Sequence, residues 1–116
     1  MTSPCCIAIN TENSFRAIKC WADGSLPKAG VLLFNKCQQS GVEQIIATGD
    51  IASLETPVGV GQTAKTFNSL ADLRWAYVDC PNVYMWQDDR WLYSPTVSGP
   101  TEGKFVPLES ALRKFK

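Results

Sequence analysis

The start of the chain alternates with a period of two, which is typical of β-strands. Cys5, Ile7 and Ile9 lie at alternate positions, and a polar segment over 11–14 separates this run from a second apolar run over 15–21. A two-residue turn at 12–13 predicts a β-hairpin with a defined register. Its predicted cross-strand pairs on one face are Cys5 with Cys20 and Ile7 with Ile18, and the other face carries Ala8, Ala17 and Phe15.

A second and stronger hairpin pattern occupies residues 83–94. With Asp88 and Asp89 at the centre of the turn, four aromatic residues share one face. The predicted pairs are Tyr84 with Tyr93 and Trp86 with Trp91, and the opposite face holds Val83, Met85, Gln87, Arg90 and Leu92. These aromatic residues are either core or an outward platform for a base, a nucleotide or a protein partner. The platform hypothesis requires exposed indoles.

The segments between the hairpins read mostly as helices. Pro27 begins a predicted helix that runs to about Gln39 and ends at Ser40-Gly41, and a short helix over 42–48 ends at Gly49. Residues 50–67 lack periodicity and are predicted to form a long surface loop. A helix over about 69–79, capped by Asn68 or Ser69, competes with a strand over 75–79. A short edge strand at 105–106 and a helix over 107–115 close the chain.

This order of elements predicts an α+β fold. We expect a single domain over 1–116, with an antiparallel sheet built from the two hairpins and three or four helices packed on one face.

Composition narrows the chemistry. The chain has no histidine, which excludes Ser-His and Cys-His nucleophile pairs and histidine metal ligands. Eleven basic and eleven acidic residues give zero net charge, which argues against a protein held on nucleic acid by phosphate contacts. The longest run of aliphatic or aromatic residues is 31–34, far below the ~18 residues of a membrane span. No signal peptide is recognised, so we expect a cytoplasmic protein.

Other candidate sites have simple structural explanations. The five cysteines have irregular spacing without a CxxC motif, so we expect reduced, buried thiols and no metal or other cofactor. Residues 59–66 superficially resemble a phosphate loop but lack its GK[ST] ending. The amides of this segment, together with Lys65, could still contact an anionic ligand. Asp23 and Asp50 are the carboxylates considered for a metal-dependent hydrolase.

Several short motifs resemble a family of small, mostly uncharacterised proteins encoded by tailed phages and related mobile elements. These motifs are Cys6-Ile7-Ala8-Ile9, the Trp21-Ala22-Asp23-Gly24 loop, Gly49-Asp50-Ile51-Ala52-Ser53 and the aromatic hairpin over 83–94. Cys20 stands where the family usually has histidine, Ala22 is an insertion, and Ser25-Leu26 replaces Tyr-Pro. The resemblance implies a phage accessory protein in the cytosol of an infected bacterium, a class that often counters host defence.

Three hypotheses for function follow. The first is a non-enzymatic protein that inhibits a host antiviral system by binding a defence protein or by sequestering a nucleotide second messenger. The others are a small carboxylate/metal hydrolase acting on a nucleotide, and a structural or housekeeping subunit that assembles with itself, for example as a homodimer. Neither membrane nor nucleic acid is an expected partner. The candidate ligand- or partner-binding residues are Trp21, Asp23, Lys65, Tyr84, Trp86, Arg90, Trp91 and Tyr93.

Overall fold

A computed structural model describes residues 4–10, 14–22, 30–36, 39–53, 59, 61–77, 80, 82–95 and 105–115. The strands are β1 (Cys5–Asn10), β2 (Phe15–Ala22), β3 (Ile51–Ser53), β4 (Lys65–Phe67), β5 (Asn82–Gln87), β6 (Arg90–Pro95) and β7 (Val106–Pro107). The helices are α1 (Val31–Lys36), α2 (Gln39–Thr48), α3 (Leu70–Ala76) and α4 (Leu108–Phe115). All of these strands belong to one mixed sheet.

Both predicted hairpins form with the expected registers. In the first, Cys5 pairs with Cys20 and Ile7 with Ile18; in the second, Tyr84 pairs with Tyr93 and Trp86 with Trp91. Asp88 and Asp89 both adopt positive φ angles, 53° and 62°, as a two-residue type I′ turn requires. Alternation along each strand therefore determines which residues share a face.

The expected antiparallel sheet is wrong. The sheet order is β3-β2-β1-β5-β6-β7, and β1 lies parallel to β5, so the two hairpins join through a parallel pair. A second parallel pair joins β2 to β3, while β4 pairs antiparallel with the other half of β2. The position of β1 explains its composition, because a central strand is covered on both faces and need not alternate with polar residues. All residues from Cys5 to Ile9 are buried.

Helices cover both faces of the sheet, whereas the sequence predicted helices on only one. The three-helix face packs α1, α2 and α4 against one set of strand residues, through Leu33, Val42, Ile46 and Leu108. The one-helix face packs α3 against the other set, through Leu73 and the adjoining Tyr77. The hydroxyl of Tyr77 donates a hydrogen bond to the carbonyl oxygen of Ala17, at 3.3 Å. Two apolar faces on β1 and β5 require this two-sided cover.

The boundary between the first two helices differs from the prediction. Residues 40–41 lie within α2, which begins at Gln39, because Gly41 is tolerated inside a helix that buries Val42 and Ile46. Gly49 ends α2 as predicted, with φ +87°. A β-carbon at this glycine would lie 2.1 Å from the carbonyl oxygen of Gln62, so the chain requires glycine here for space as well as for conformation.

The predicted loop over 50–67 contains two strands, β3 and β4, which share one edge of β2. Lys19 lies between the positions of β2 that pair with β3 and those that pair with β4. Its backbone amide donates a 2.9 Å hydrogen bond to the carboxylate of Asp50 instead of to a strand. Ser69 caps α3 as predicted, accepting a hydrogen bond from the amide of Asp72. The alternative strand over 75–79 does not form at 75–76, where α3 continues, and 78–79 lie outside the described residues.

The predicted closing elements are present as β7 and α4. No helix within the described ranges is both long and apolar enough to cross a membrane.

Candidate functional site

The aromatic face of the second hairpin lies in the core, so the outward platform does not exist. Tyr84, Trp86 and Trp91 are only 0 %, 6 % and 4 % exposed and belong to the three-helix face. Tyr93 is partly buried against the same cluster. The helices cover this face because the strand beside the hairpin, β1, presents cysteine and isoleucine there and extends the same apolar surface.

The aromatic rings form two cross-strand pairs. The rings of Tyr84 and Tyr93 have centroids 5.4 Å apart, and those of Trp86 and Trp91 are also 5.4 Å apart, in an edge-to-face arrangement with an interplanar angle of 71°. Such pairs stabilise a protein by about 0.5–1.5 kcal/mol beyond simple burial. The Tyr93 hydroxyl donates a 2.6 Å hydrogen bond to the side-chain oxygen of Asn82. This geometry fixes the end of the hairpin.

The buried acids near the hairpins are held in their neutral forms. Burial raises the pKa of Tyr84 far above its usual value near 10, and also raises the pKa of Tyr93. A hydrogen bond between its thiol and that of Cys20, followed by burial, raises the pKa of Cys5 well above 9.0. These shifts favour a structural role for Cys5 and Tyr84, because a nucleophile needs its pKa lowered toward neutrality.

The tryptophan pair nevertheless borders a groove at the turn end of the second hairpin. The hairpin groove, as we call it, has a volume of about 560 Å³ and is bounded by three elements. Trp86 and Asp89–Trp91 come from the hairpin, Phe34 from α1, and Pro107, Glu109 and Ser110 from β7 and the first turn of α4. The small exposed part of the two indoles therefore lies where α1, α4 and the hairpin meet around a cavity.

The charged residues around the hairpin groove differ in whether they already have an ion-pair partner. Glu109 forms a 2.6 Å ion pair with Arg113, one helical turn further along α4. Asp89 is exposed and has no ion pair or side-chain hydrogen bond with any other residue that the structure describes. Arg90 pairs with Gln87 across the strands, so alternation starts its side chain on the one-helix face, opposite the indoles. Asp89 and Arg90, both exposed and both lining the groove, therefore leave one unengaged charge of each sign there among the described residues.

An apolar rim adjoins the hairpin groove. Phe34 and Val31 are 40 % and 39 % exposed and lie three residues apart, on the same side of α1. Val106 on β7 is 39 % exposed and precedes Pro107, which lines the groove. Large apolar side chains at the edge of a concave aromatic surface are typical of a contact site for another molecule.

The other sequence-predicted site residues lie elsewhere. Trp21 is 47 % exposed near the far edge of the sheet, with the Lys19 amine 4.0 Å from its ring centroid. Lys65 is exposed on β4 and pairs with Ala17. Trp21 is on β2 and Lys65 on β4, which pairs with β2, so at least strands β1 and β5 separate both residues from β6 and neither joins the groove. Asp23 lies outside the described residues.

Sequence reasoning missed the contributions of α1, β7 and α4. The four consecutive large apolar residues at 31–34 favour a well-buried helix, whereas Val31 and Phe34 are exposed. One turn of helix cannot direct four consecutive side chains to one face, so two of them remain exposed. This excess of apolar residues over the positions that one helix face can bury was the sequence signal for exposed side chains on α1. Nothing in the sequence indicated that Glu109 and Ser110 would border the tryptophan pair, because this contact depends on the folded chain.

Of the two carboxylates considered for a hydrolase, only Asp50 is among the described residues, and it does not line the hairpin groove. Asp50 is engaged with the Lys19 amide, and no group of three metal-ligating side chains occurs among the described residues. The groove instead offers aromatic rings, an apolar rim and the Asp89 carboxylate, which suit binding. No family model matches the chain, and no curated protein or solved structure is significantly similar to it.

Proposed function

We propose that this chain is a non-enzymatic binding protein that inhibits a host antiviral system by binding a defence protein through the hairpin groove. The observation that carries the proposal is the coincidence of a concave aromatic surface with the exposed side chains of Phe34, Val31 and Val106. The host context comes from the resemblance to phage accessory proteins.

The arrangement has the properties of a small protein contact site. Binding energy at protein interfaces concentrates in a few aromatic or arginine side chains that fill well-packed pockets. Here the tryptophan side of the hairpin groove is already ordered, because Trp86 and Trp91 pack against each other and lie on paired strands. A rigid floor lowers the entropic cost of binding, because no large side chain must be fixed when the partner arrives.

A nucleotide second messenger is the second candidate, favoured by the size of the hairpin groove. Its volume of about 560 Å³ lies within the range of small-molecule sites. Two observations weaken this candidate: Trp86 and Trp91 are only 6 % and 4 % exposed, which leaves little ring face for a base, and the lining has two carboxylates to one cationic side chain, that of Arg90. We therefore rank the protein partner first.

A plating experiment tests the proposal. The protein is expressed in bacteria that each carry one defence system, and phage plating efficiency is compared with that of empty-vector cells. We expect plating to recover in one strain, to fall again with Phe34→Ala at equal protein level, and to persist with Trp75→Ala. Trp75 is the matched control, because it is 64 % exposed but lies on α3, across the sheet from the groove.

Two outcomes would overturn this assignment. Recovery in no strain of a broad panel removes the inhibitory function. Recovery that requires Trp75 but not Phe34 removes the groove as the contact site.

Thermal unfolding with cyclic nucleotides and ADP-ribose derivatives separates the two candidates. A nucleotide at 100 times its dissociation constant stabilises the protein by about 2.7 kcal/mol. We expect no such shift, whereas the purified defence protein should form a stable complex. A nucleotide that shifts the transition and is recovered intact after denaturation supports sequestration; a nucleotide that is consumed supports the hydrolase hypothesis.

A further inference from the structure

We propose that Cys5 and Cys20 are a redox-sensitive pair, which a low-molecular-weight disulfide such as oxidised glutathione converts into a disulfide bond between β1 and β2. The reduced protein then holds the first hairpin by packing alone, and the oxidised protein holds it by a covalent link as well. This inference is independent of the hairpin groove and of the proposed function.

The first argument is the register of the hairpin. Cys5 and Cys20 lie directly opposite each other on antiparallel strands. Residues opposed in this way share a face and have Cα atoms about 4.5–5.5 Å apart, within the separation of about 4.4–6.8 Å that disulfides require. A hydrogen bond already joins the two thiols. The sheet therefore brings both sulfur atoms together without a change in strand pairing.

The second argument is the contrast with the other two cysteines of the described chain. Cys6 is the next residue of β1 and is equally buried, but its partner on β2 is Lys19. Alternation directs the side chain of Cys6 to the one-helix face, where Cys80 also packs. Burial is thus common to all four cysteines, whereas only Cys5 and Cys20 are cross-strand partners within the described residues.

The third argument is the position of the pair along its strands. Cys5 is the first residue of β1, and the sheet neighbours of the pair, Asn82 and Ile51, are the first residues of β5 and β3. Strand ends open more readily than strand centres. Both thiols are 0 % exposed and the pKa of Cys5 is raised, so the closed sheet protects the pair at neutral pH. Opening of this end gives the oxidant access.

The chemistry is thiol–disulfide exchange in two steps. The thiolate of one cysteine attacks a sulfur atom of the oxidant, forming a mixed disulfide and releasing one oxidant thiol. The thiolate of the other cysteine attacks the protein sulfur of that mixed disulfide, and the second oxidant thiol leaves. The protein pair gives up two electrons and two protons, which the two released thiols carry away.

Disulfide mapping of the intact chain tests the proposal. The reduced protein is incubated with oxidised glutathione, its remaining thiols are alkylated, and linked peptides are sequenced by fragmentation in a mass spectrometer, which separates Cys5 from Cys6. We expect one bond between Cys5 and Cys20. Cys5→Ala and Cys20→Ala should abolish it, whereas Cys6→Ala, the matched control on the same strand, should retain it.

A comparison of oxidised and reduced wild type tests whether the bond fits the native sheet. We expect the unfolding equilibrium constant to be about a hundredfold lower for the oxidised protein, because the bond closes a loop of about 15 residues in the unfolded chain. This comparison needs no variant, so a cysteine variant that fails to fold does not decide the outcome.

Three results would overturn the proposal. They are no disulfide after incubation, a disulfide that joins other cysteines instead, and an oxidised protein that is no more stable than the reduced one. The plating experiment with Phe34→Ala tests the proposed function separately, since Phe34 lies on α1 and is not part of the hairpin.

Discussion

The two hairpins of this protein follow the same sequence pattern but serve different purposes. In the β1–β2 hairpin, the paired residues of the three-helix face are small or aliphatic and are completely buried, as at Ile7 and Ile18. In the β5–β6 hairpin, the paired residues are aromatic, and the pair nearest the turn borders the hairpin groove. On this face, one hairpin supplies only core, while the other supplies core and also borders the groove.

The difference arises from what covers each hairpin. Helix α2 packs across β1 and β2 through Val42 and Ile46. The β5–β6 hairpin is covered by α4, which begins only after the short strand β7. The first turn of α4 therefore lies beside the tryptophan pair, and the space between them is the groove. The alternation of residues thus determines which side chains share one face of a strand. The position of the covering helix determines which of those side chains border the groove.

The largest expected effect comes from the core of the first hairpin. Ile18→Ala removes a wholly buried side chain and should lower the free energy of unfolding by about 2–5 kcal/mol, because the cavity collapses only partly. Chemical denaturation measures this loss. A loss below about 1 kcal/mol would contradict the complete burial of this side chain.

Alkaline pH should destabilise both hairpins through their buried acids. The folded-state pKa values of Cys5 and Tyr84 are raised above their unfolded values, near 9.0 and 10.0. Below pH 9 the folded and unfolded chains both keep these protons, so the stabilisation is complete. Above these unfolded values only the unfolded chain releases them, and stability falls by up to about 1.4 kcal/mol per pH unit and group.

Tyr84→Phe isolates the contribution of the second hairpin. Denaturation midpoints measured from pH 8 to pH 11 should fall less steeply above pH 10 for this variant than for the wild type. Parallel curves for the two proteins would contradict the assigned burial of the phenol.

Asp89→Gly should stabilise the turn of the second hairpin. Glycine adopts the left-handed conformation at φ 62° without strain, so the free energy of unfolding in chemical denaturation should rise by about 0.5–1 kcal/mol. Asp88→Gly, at φ 53°, should give a similar gain. Loss of stability at Asp89 would argue against strain in the turn.

The smallest expected effect is at the exposed ion pair of α4. Arg113→Ala breaks the contact with Glu109 and should cost only about 0.3–0.5 kcal/mol, as exposed i,i+4 pairs do. Chemical denaturation measures this loss. A loss above about 1 kcal/mol would contradict the exposed position of the pair.

The sequence predicted what depends on neighbouring residues and missed what depends on distant ones. Alternation predicted both hairpin registers, and Ser69 and Gly49 were correctly recognised as helix boundaries. The parallel contact between β1 and β5 was missed, since it joins residues far apart in the chain. Burial on both faces of β1 was the one indication of a central strand, because Cys6 and Ala8 occupy positions where an outer face would be polar.

The candidate site was predicted only in part. The tryptophan pair and Arg90 were correctly associated with one end of the hairpin, and the structure places them around one groove. Their outward orientation was wrong, because the sheet extends through β1 and needs helices over the aromatic face. Phe34 and Glu109 come from elements whose contacts with the hairpin are set by tertiary packing, for which no local pattern exists.

The most direct measurement uses the four tryptophans of the chain as reporters. Their indole N–H signals are recorded by NMR with and without the defence protein identified by plating, after assignment with single Trp→Phe variants. The account predicts that the signals of Trp86 and Trp91 shift or broaden, while those of Trp21 and Trp75 stay unchanged. Unchanged signals from the hairpin pair, with a change at Trp75 or Trp21, would contradict the hairpin groove as the binding surface.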